Sequence, residues 1–92
     1  MVIIGMMSYP PEQSKKIGKR FIGNPPLPEY IKMKGPYLTG EIGGGIKSII
    51  IYEFDQTKTR EAIEAISKRY TNYIGVPGLT YSVNVCSKLM KL

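Results

Sequence analysis

Apolar residues along the chain follow two rhythms, one of period two and one of three to four residues, separated by clusters of glycine and proline. Met1 to Met7 is the first apolar run, with Met1, Ile3 and Met7 on one side and Val2, Ile4 and Met6 on the other. It ends at Tyr9-Pro10-Pro11 and is too short to span a bilayer, so it predicts a strand rather than a membrane segment. From Pro11 to Ile22 the period lengthens. Ser14, Ile17, Gly18 and Phe21 share one side and Lys15, Lys16, Lys19 and Arg20 the other, which predicts an amphipathic helix with Gly18 packed closely on a sheet. The prolines of Gly23 to Pro28 stop it and form a stiff connector.

Tyr30 to Lys34 alternates again, is interrupted by Gly35-Pro36 and resumes at Tyr37-Leu38-Thr39, as expected of a kinked or bulged edge strand. Gly43-Gly44-Gly45 predicts a hairpin turn into Ile46 to Phe54, a run rich in β-branched and aromatic residues. Asp55 or Thr57 then caps a second helix, in which Ala62, Ile63, Ile66, Tyr70, Tyr73 and Ile74 recur on one face, so that the helix is expected to reach about Ile74 before Gly75 and Pro77. Tyr81 to Ser87 alternates with period two and supplies the last strand.

The resulting order, β-α-β-β-α-β, predicts a single α+β domain over residues 1–92: a ferredoxin-like, four-stranded antiparallel sheet with two helices on one face. Its other face is left bare. Strand three places Ser48, Ile50, Tyr52 and Phe54 on one side and Lys47, Ile49, Ile51 and Glu53 on the other, so large apolar groups occupy both. Two helices cover only one side, and a second copy of the sheet is the expected cover for the other.

On these features the chain resembles the dimeric α+β-barrel superfamily, in particular its short bacterial domains with a Pro-Pro connector, a short strand, a Gly-Gly turn and a hydrophobic strand before the second helix. Here those features are Pro25-Pro26, Ile31 to Lys34, Gly43 to Gly45 and Ile46 to Phe54. The resemblance implies a homodimer with facing sheets. It brings no catalytic motif, because several enzymes of that superfamily depend on a histidine that this chain does not have. The same topology also resembles the RNA-recognition motif, with Lys47 to Phe54 in register with its third strand. Base-stacking positions would then fall on Ile3, Ile49 and Ile51, which are aliphatic; this argues against RNA and assigns the three residues to the open face as the expected dimer interface.

Composition narrows the chemistry further. With no histidine or tryptophan and a single cysteine, Cys86, the chain has no material for a disulfide framework, a Cys/His metal site or a His-based triad, and neither cofactor nor metal is expected. Thirteen basic against seven acidic side chains give +6, with both ends basic and the middle acidic. That excess supports weak, salt-sensitive attraction to nucleic acid through Lys15, Lys16, Lys19 and Arg20, not a specific complex. The lone thiol and the absence of an export-like segment predict a cytoplasmic setting. Seven tyrosines are the remaining polar handles. Tyr52, Tyr70, Tyr73, Tyr9 and Tyr37 are expected to surround a small cavity between sheet and helices, suited to an apolar or aromatic ligand with one or two oxygen acceptors.

The function expected is therefore a small cytoplasmic dimer-forming domain whose specific reaction the sequence does not name. Its alternatives are a small-molecule pocket protein, with or without cofactor-independent monooxygenase-like chemistry, and a weak, non-specific nucleic-acid binder.

Overall fold

The computed structural model describes residues 1–87. Strand β1 (Val2–Tyr9) leads through a 3-10 turn (Pro11–Gln13) into helix α1 (Ser14–Ile22), and the connector delivers the chain to β2 (Lys32–Gly40). A hairpin joins β2 to β3 (Ile46–Glu53), after which a second 3-10 turn (Gln56–Lys58) opens helix α2 (Thr59–Thr71), and β4 (Thr80–Cys86) closes the sheet. All neighbours are antiparallel, in the order β2-β3-β1-β4. The β-α-β-β-α-β arrangement expected from the sequence is the observed one, with β2 and β4 at the edges.

Local chemistry accounts for the joints. In the hairpin, Gly43 and Gly44 hold φ of 99° and 96°, a region that side chains with a Cβ avoid, and the Glu41 amide donates to the Gly45 carbonyl. Asp55 accepts hydrogen bonds from the Thr57 amide at 2.9 Å and its hydroxyl at 2.8 Å, fixing the entry to α2. These two bonds hold its carboxyl below the usual range, the amide contributing more.

One face of the sheet is covered. Ile3, Met7 and Tyr9 of β1, with Ile50, Tyr52 and the following Phe54, pack against Ile17 of α1 and Ala62, Ile66 and Tyr70 of α2. Tyr70 reaches so far into the sheet that its hydroxyl rests where a Cβ on Gly5 would stand, so β1 needs glycine at that position. The ends of the two helices are strapped together. Arg20 donates through Nη1 to the carbonyls of Asn72 (3.0 Å) and Ile74 (2.8 Å), and Asn72 donates back to the Arg20 carbonyl at 3.1 Å.

Several expectations are corrected. Ile3 is paired with Tyr52, and cross-strand partners share a face, so Ile3 lies fully buried under the helices and not on the open side. Helix α2 stops at Thr71, three residues short of Ile74, and gives way to turns that still carry Tyr73 inward while Ile74 is exposed. Ile63 sits at the solvent margin of α2 rather than in the core. Gly18 is not a close-packing position, since a Cβ added there meets no atom within 4 Å.

The edge strand β2 is bulged where the sequence suggested. Lys34 pairs with Ile51 and Tyr37 with Ile49, so two residues, Gly35 and Pro36, stand opposite Ile50. The extra residue reverses the alternation, which puts Tyr37 on the same face as Lys34. That is the open face, where Tyr37 is 55% exposed, and its expected place among the inward tyrosines is lost.

Candidate functional site: a sealed tyrosine layer and an open sheet face

Three of the five tyrosines meet as the sequence suggested. Tyr52 projects from β3 and Tyr70 from α2, and their hydroxyls approach to 3.2 Å in the buried layer between sheet and helices. Tyr73 packs beside Tyr70, ring centroids 6.1 Å apart, and its hydroxyl accepts from Asn24 Nδ2 at 3.2 Å. Tyr9 is buried at the end of β1, and Tyr81 of β4 stacks on Tyr70 from the sheet margin at 5.7 Å.

Burial pushes the phenols of Tyr52, Tyr70, Tyr73 and Tyr9 above the ordinary tyrosine value. For Tyr70 the neighbouring Tyr52 adds to the rise; for Tyr52 the Tyr70 hydroxyl and the Arg69 guanidinium offset part of it. The cluster is therefore a set of neutral hydroxyls near neutral pH. It is also closed. Tyr52 is 1% exposed, and the gap among Met7, Ile50, Tyr52, Tyr70 and Tyr73 leaves no room for a water molecule. Among the described residues there is no space for a small molecule at Tyr52, and these hydroxyls brace the core.

The open space on the helix side lies elsewhere. A cleft of about 230 Å³ runs between α1 and the far half of β2 and β3, walled by Ile17, Phe21, Leu38 and Ile46, with Ser14 and Ser48 as polar points. Tyr9 and Tyr73 reach its edge. The bare Cα of Gly18 leaves its wall low.

Sequence reasoning missed Arg69. Ala62, Ile66, Arg69 and Tyr73 succeed one another at steps of four, three and four, so the arginine occupies an inward position of the apolar stripe of α2. It is buried with them, at 7% exposure. Nη1 donates to the Pro25 carbonyl at 2.6 Å, the guanidinium faces the Phe21 ring at 6.0 Å, and Nε has no partner. The readable signal was a cation at a core spacing.

The other face of the sheet is arranged in four cross-strand rows, each read from β2 to β4: Lys32-Glu53-Val2-Cys86, Lys34-Ile51-Ile4-Asn84, Tyr37-Ile49-Met6-Ser82 and Thr39-Lys47-Ser8-Thr80. Its centre is aliphatic: Val2, Ile4, Met6, Ile49 and Ile51. Its two edges differ. The β2 edge carries Lys32 and Lys34, the latter paired with Glu53, whereas the β4 edge shows only the neutral groups of Thr80, Ser82, Asn84 and Cys86. The Lys34 ammonium beside Glu53 holds that carboxyl below its usual range and is itself held above its own. Glu41, at the hairpin, accepts from the Ser8 hydroxyl. The carboxylates Glu41, Glu53 and Asp55 thus have separate structural partners, and among the described residues no three acids or thiols gather as metal ligands do.

Tyr37 is the one aromatic side chain in those rows, and Arg20 is engaged at the end of α2. No helix among the described residues is long and apolar enough to cross a membrane. No protein-family model and no curated protein matches the chain.

Proposed function

We propose that this chain is a self-associating domain of the dimeric α+β-barrel type, working as a homodimer in the reducing cytoplasm with the open sheet faces of two copies packed together. The observation that carries this reading is the aliphatic centre of the open face, which no element among the described residues covers. Four strands at about 4.8 Å spacing and about eight residues at about 3.3 Å rise give a planar footprint of about 500 Å². Side-chain relief raises this toward the about 800 Å² per partner of a standard interface.

The charge pattern selects the orientation. A two-fold axis across the strands would set β2 over the partner's β2 and bring like-charged lysine edges together. An axis parallel to the strands sets β2 over the partner's β4, where Lys34 meets the amide of the partner's Asn84, Lys32 meets the thiol of the partner's Cys86, and the aliphatic centres coincide. In that arrangement position 32 of one protomer lies in the same row as the partner's Cys86.

The test is light scattering on the purified chain together with cross-linking of Lys32→Cys by a short bismaleimide. A dimer at micromolar concentration, linked in the variant between the thiol introduced at position 32 and the partner's Cys86 and unlinked in the parent, supports both the association and its axis. A monodisperse monomer overturns the proposal.

A second reading, a site for a small apolar ligand, is favoured by the cleft beside α1. Gly18→Leu places a side chain at its wall, where there is room for one, and should abolish uptake of an apolar dye that the parent binds. Equal uptake by both proteins would remove this reading.

A further inference from the structure

A groove of about 760 Å³ runs along the outer side of α2, between that helix and the proline connector, and Arg69 forms part of its lining. One wall is apolar: Pro25, Pro26, Leu27, Pro28 and Tyr30, with Ala65 facing them from the helix. A guanidinium taken out of water is costly unless an anion and full hydrogen bonding compensate it. Arg69 has neither. Its Nε is unpartnered, and the one ion pair among the described residues is Lys34–Glu53, on the opposite side of the sheet.

The bond from Nη1 to the Pro25 carbonyl holds the guanidinium in place but brings it no negative charge. The planar fork of arginine is suited to a carboxylate, which offers two acceptor oxygens and the missing charge together. We infer that the groove binds a small carboxylate with an apolar body, its carboxylate on Arg69 and its body against the proline wall.

The rest of the lining sharpens the class. Lys68 lies beside Arg69 at the same end, whereas Glu61 and Glu64 line the groove one to two helical turns toward the start of α2. A ligand negative at both ends would meet those acids, so a monocarboxylate fits and a dianion does not. This site is separate from the sheet face on which dimerisation is proposed, and either can fail without the other.

The experiment is a titration of the full chain, followed through the Arg69 Nε–Hε resonance, with benzoate, benzyl alcohol and inorganic phosphate as probes. Benzoate should produce a saturable shift that benzyl alcohol does not, and phosphate should bind at least tenfold more weakly. Ala65→Phe, which fills the groove from its helix side, should weaken benzoate at least tenfold while leaving the backbone spectrum folded. An Nε–Hε resonance unmoved by millimolar benzoate overturns the inference. So does an equal response to phosphate, or benzoate affinity unchanged by Ala65→Phe.

Discussion

The two faces of this sheet are built from the same residue types and solve different problems. On the helix side, Ile3, Met7, Ile50 and Tyr52 are closed over by α1 and α2, and even the hydroxyls of Tyr52 and Tyr70 find each other without admitting water. On the open side, one residue along each strand, Ile4, Met6, Ile49 and Ile51 form a comparable aliphatic centre with no element of the described residues above it. Alternation fixes which residues belong to each face, and the helices decide which face is finished within one chain. Adjacent residues of β1 therefore answer different experiments, the even ones association and the odd ones folding.

Ile3 and Ile4 make the sharpest test of that division. Ile3→Ala removes a side chain with no exposed surface and should cost about 2–5 kcal/mol in urea unfolding, by an amount that does not depend on protein concentration. Ile4→Ser, next to it but on the open face, should act mainly on the proposed dimer, so its melting temperature should fall further as the protein is diluted. Identical, concentration-independent losses in both variants would erase the distinction between the faces.

Gly5 probes how tightly the covered face is closed. A Cβ there meets the Tyr70 hydroxyl and lies 2.5 Å from the ring carbon that bears it, so Gly5→Ala should destabilise the fold by about 1–3 kcal/mol. Adding Tyr70→Phe removes the hydroxyl but not that ring carbon, and should recover only part of the loss. Full recovery in the double variant would place the whole conflict at the hydroxyl.

Much of this was legible in the sequence, for reasons visible in particular residues. The strand and helix order followed from clean changes of period at Pro11, Gly43 to Gly45 and Asp55, each a joint with its own local chemistry. Parity across β2 was not legible, because Gly35-Pro36 announces a bulge without stating how many residues oppose one partner, and that count sends Tyr37 to the open face. Ile3 was misplaced for want of pairing: only its register with Tyr52 shows the face it shares. The meeting of Tyr52, Tyr70 and Tyr73 was readable from face and spacing, but the absence of space among them depends on how deeply Tyr70 enters over Gly5. Arg69 escaped because a charge within an apolar stripe is ordinarily assigned to its solvated edge.

Alkaline pH separates the faces without a substitution. The buried phenols of Tyr52, Tyr70 and Tyr73 are raised above their unfolded value, so the protonated form is the one the fold favours. Their contribution is fully present below about pH 10 and is lost as pH rises from there toward their folded values, each phenol still neutral at pH 11 costing about 1.4 kcal/mol relative to the unfolded chain. Phenolate absorbance should rise in two phases, the second coincident with loss of circular dichroism. A single phase completed while the fold persists would show that the tyrosine layer is open to hydroxide.

The smallest effect concerns which of the two touching hydroxyls needs the other more. Tyr70's hydroxyl has Tyr52 as its hydrogen-bond partner; the Arg69 charge pulls both phenol pKa values down, but the guanidinium acts on Tyr52 as a hydrogen-bonding neighbour as well. Tyr52→Phe leaves a buried hydroxyl on Tyr70 without its partner and should cost about 1–2 kcal/mol, because an orphaned donor loses its solvation as well as its bond. Tyr70→Phe leaves Tyr52 beside a cation and should cost less, about 0.5–1 kcal/mol. With both changed to phenylalanine no hydroxyl is stranded between them, so the double variant should lose less than the sum of the single ones. Urea unfolding of the three variants at one protein concentration checks the ranking. Equal single losses that add would mean that the two hydroxyls contribute independently and that Arg69 does nothing for Tyr52.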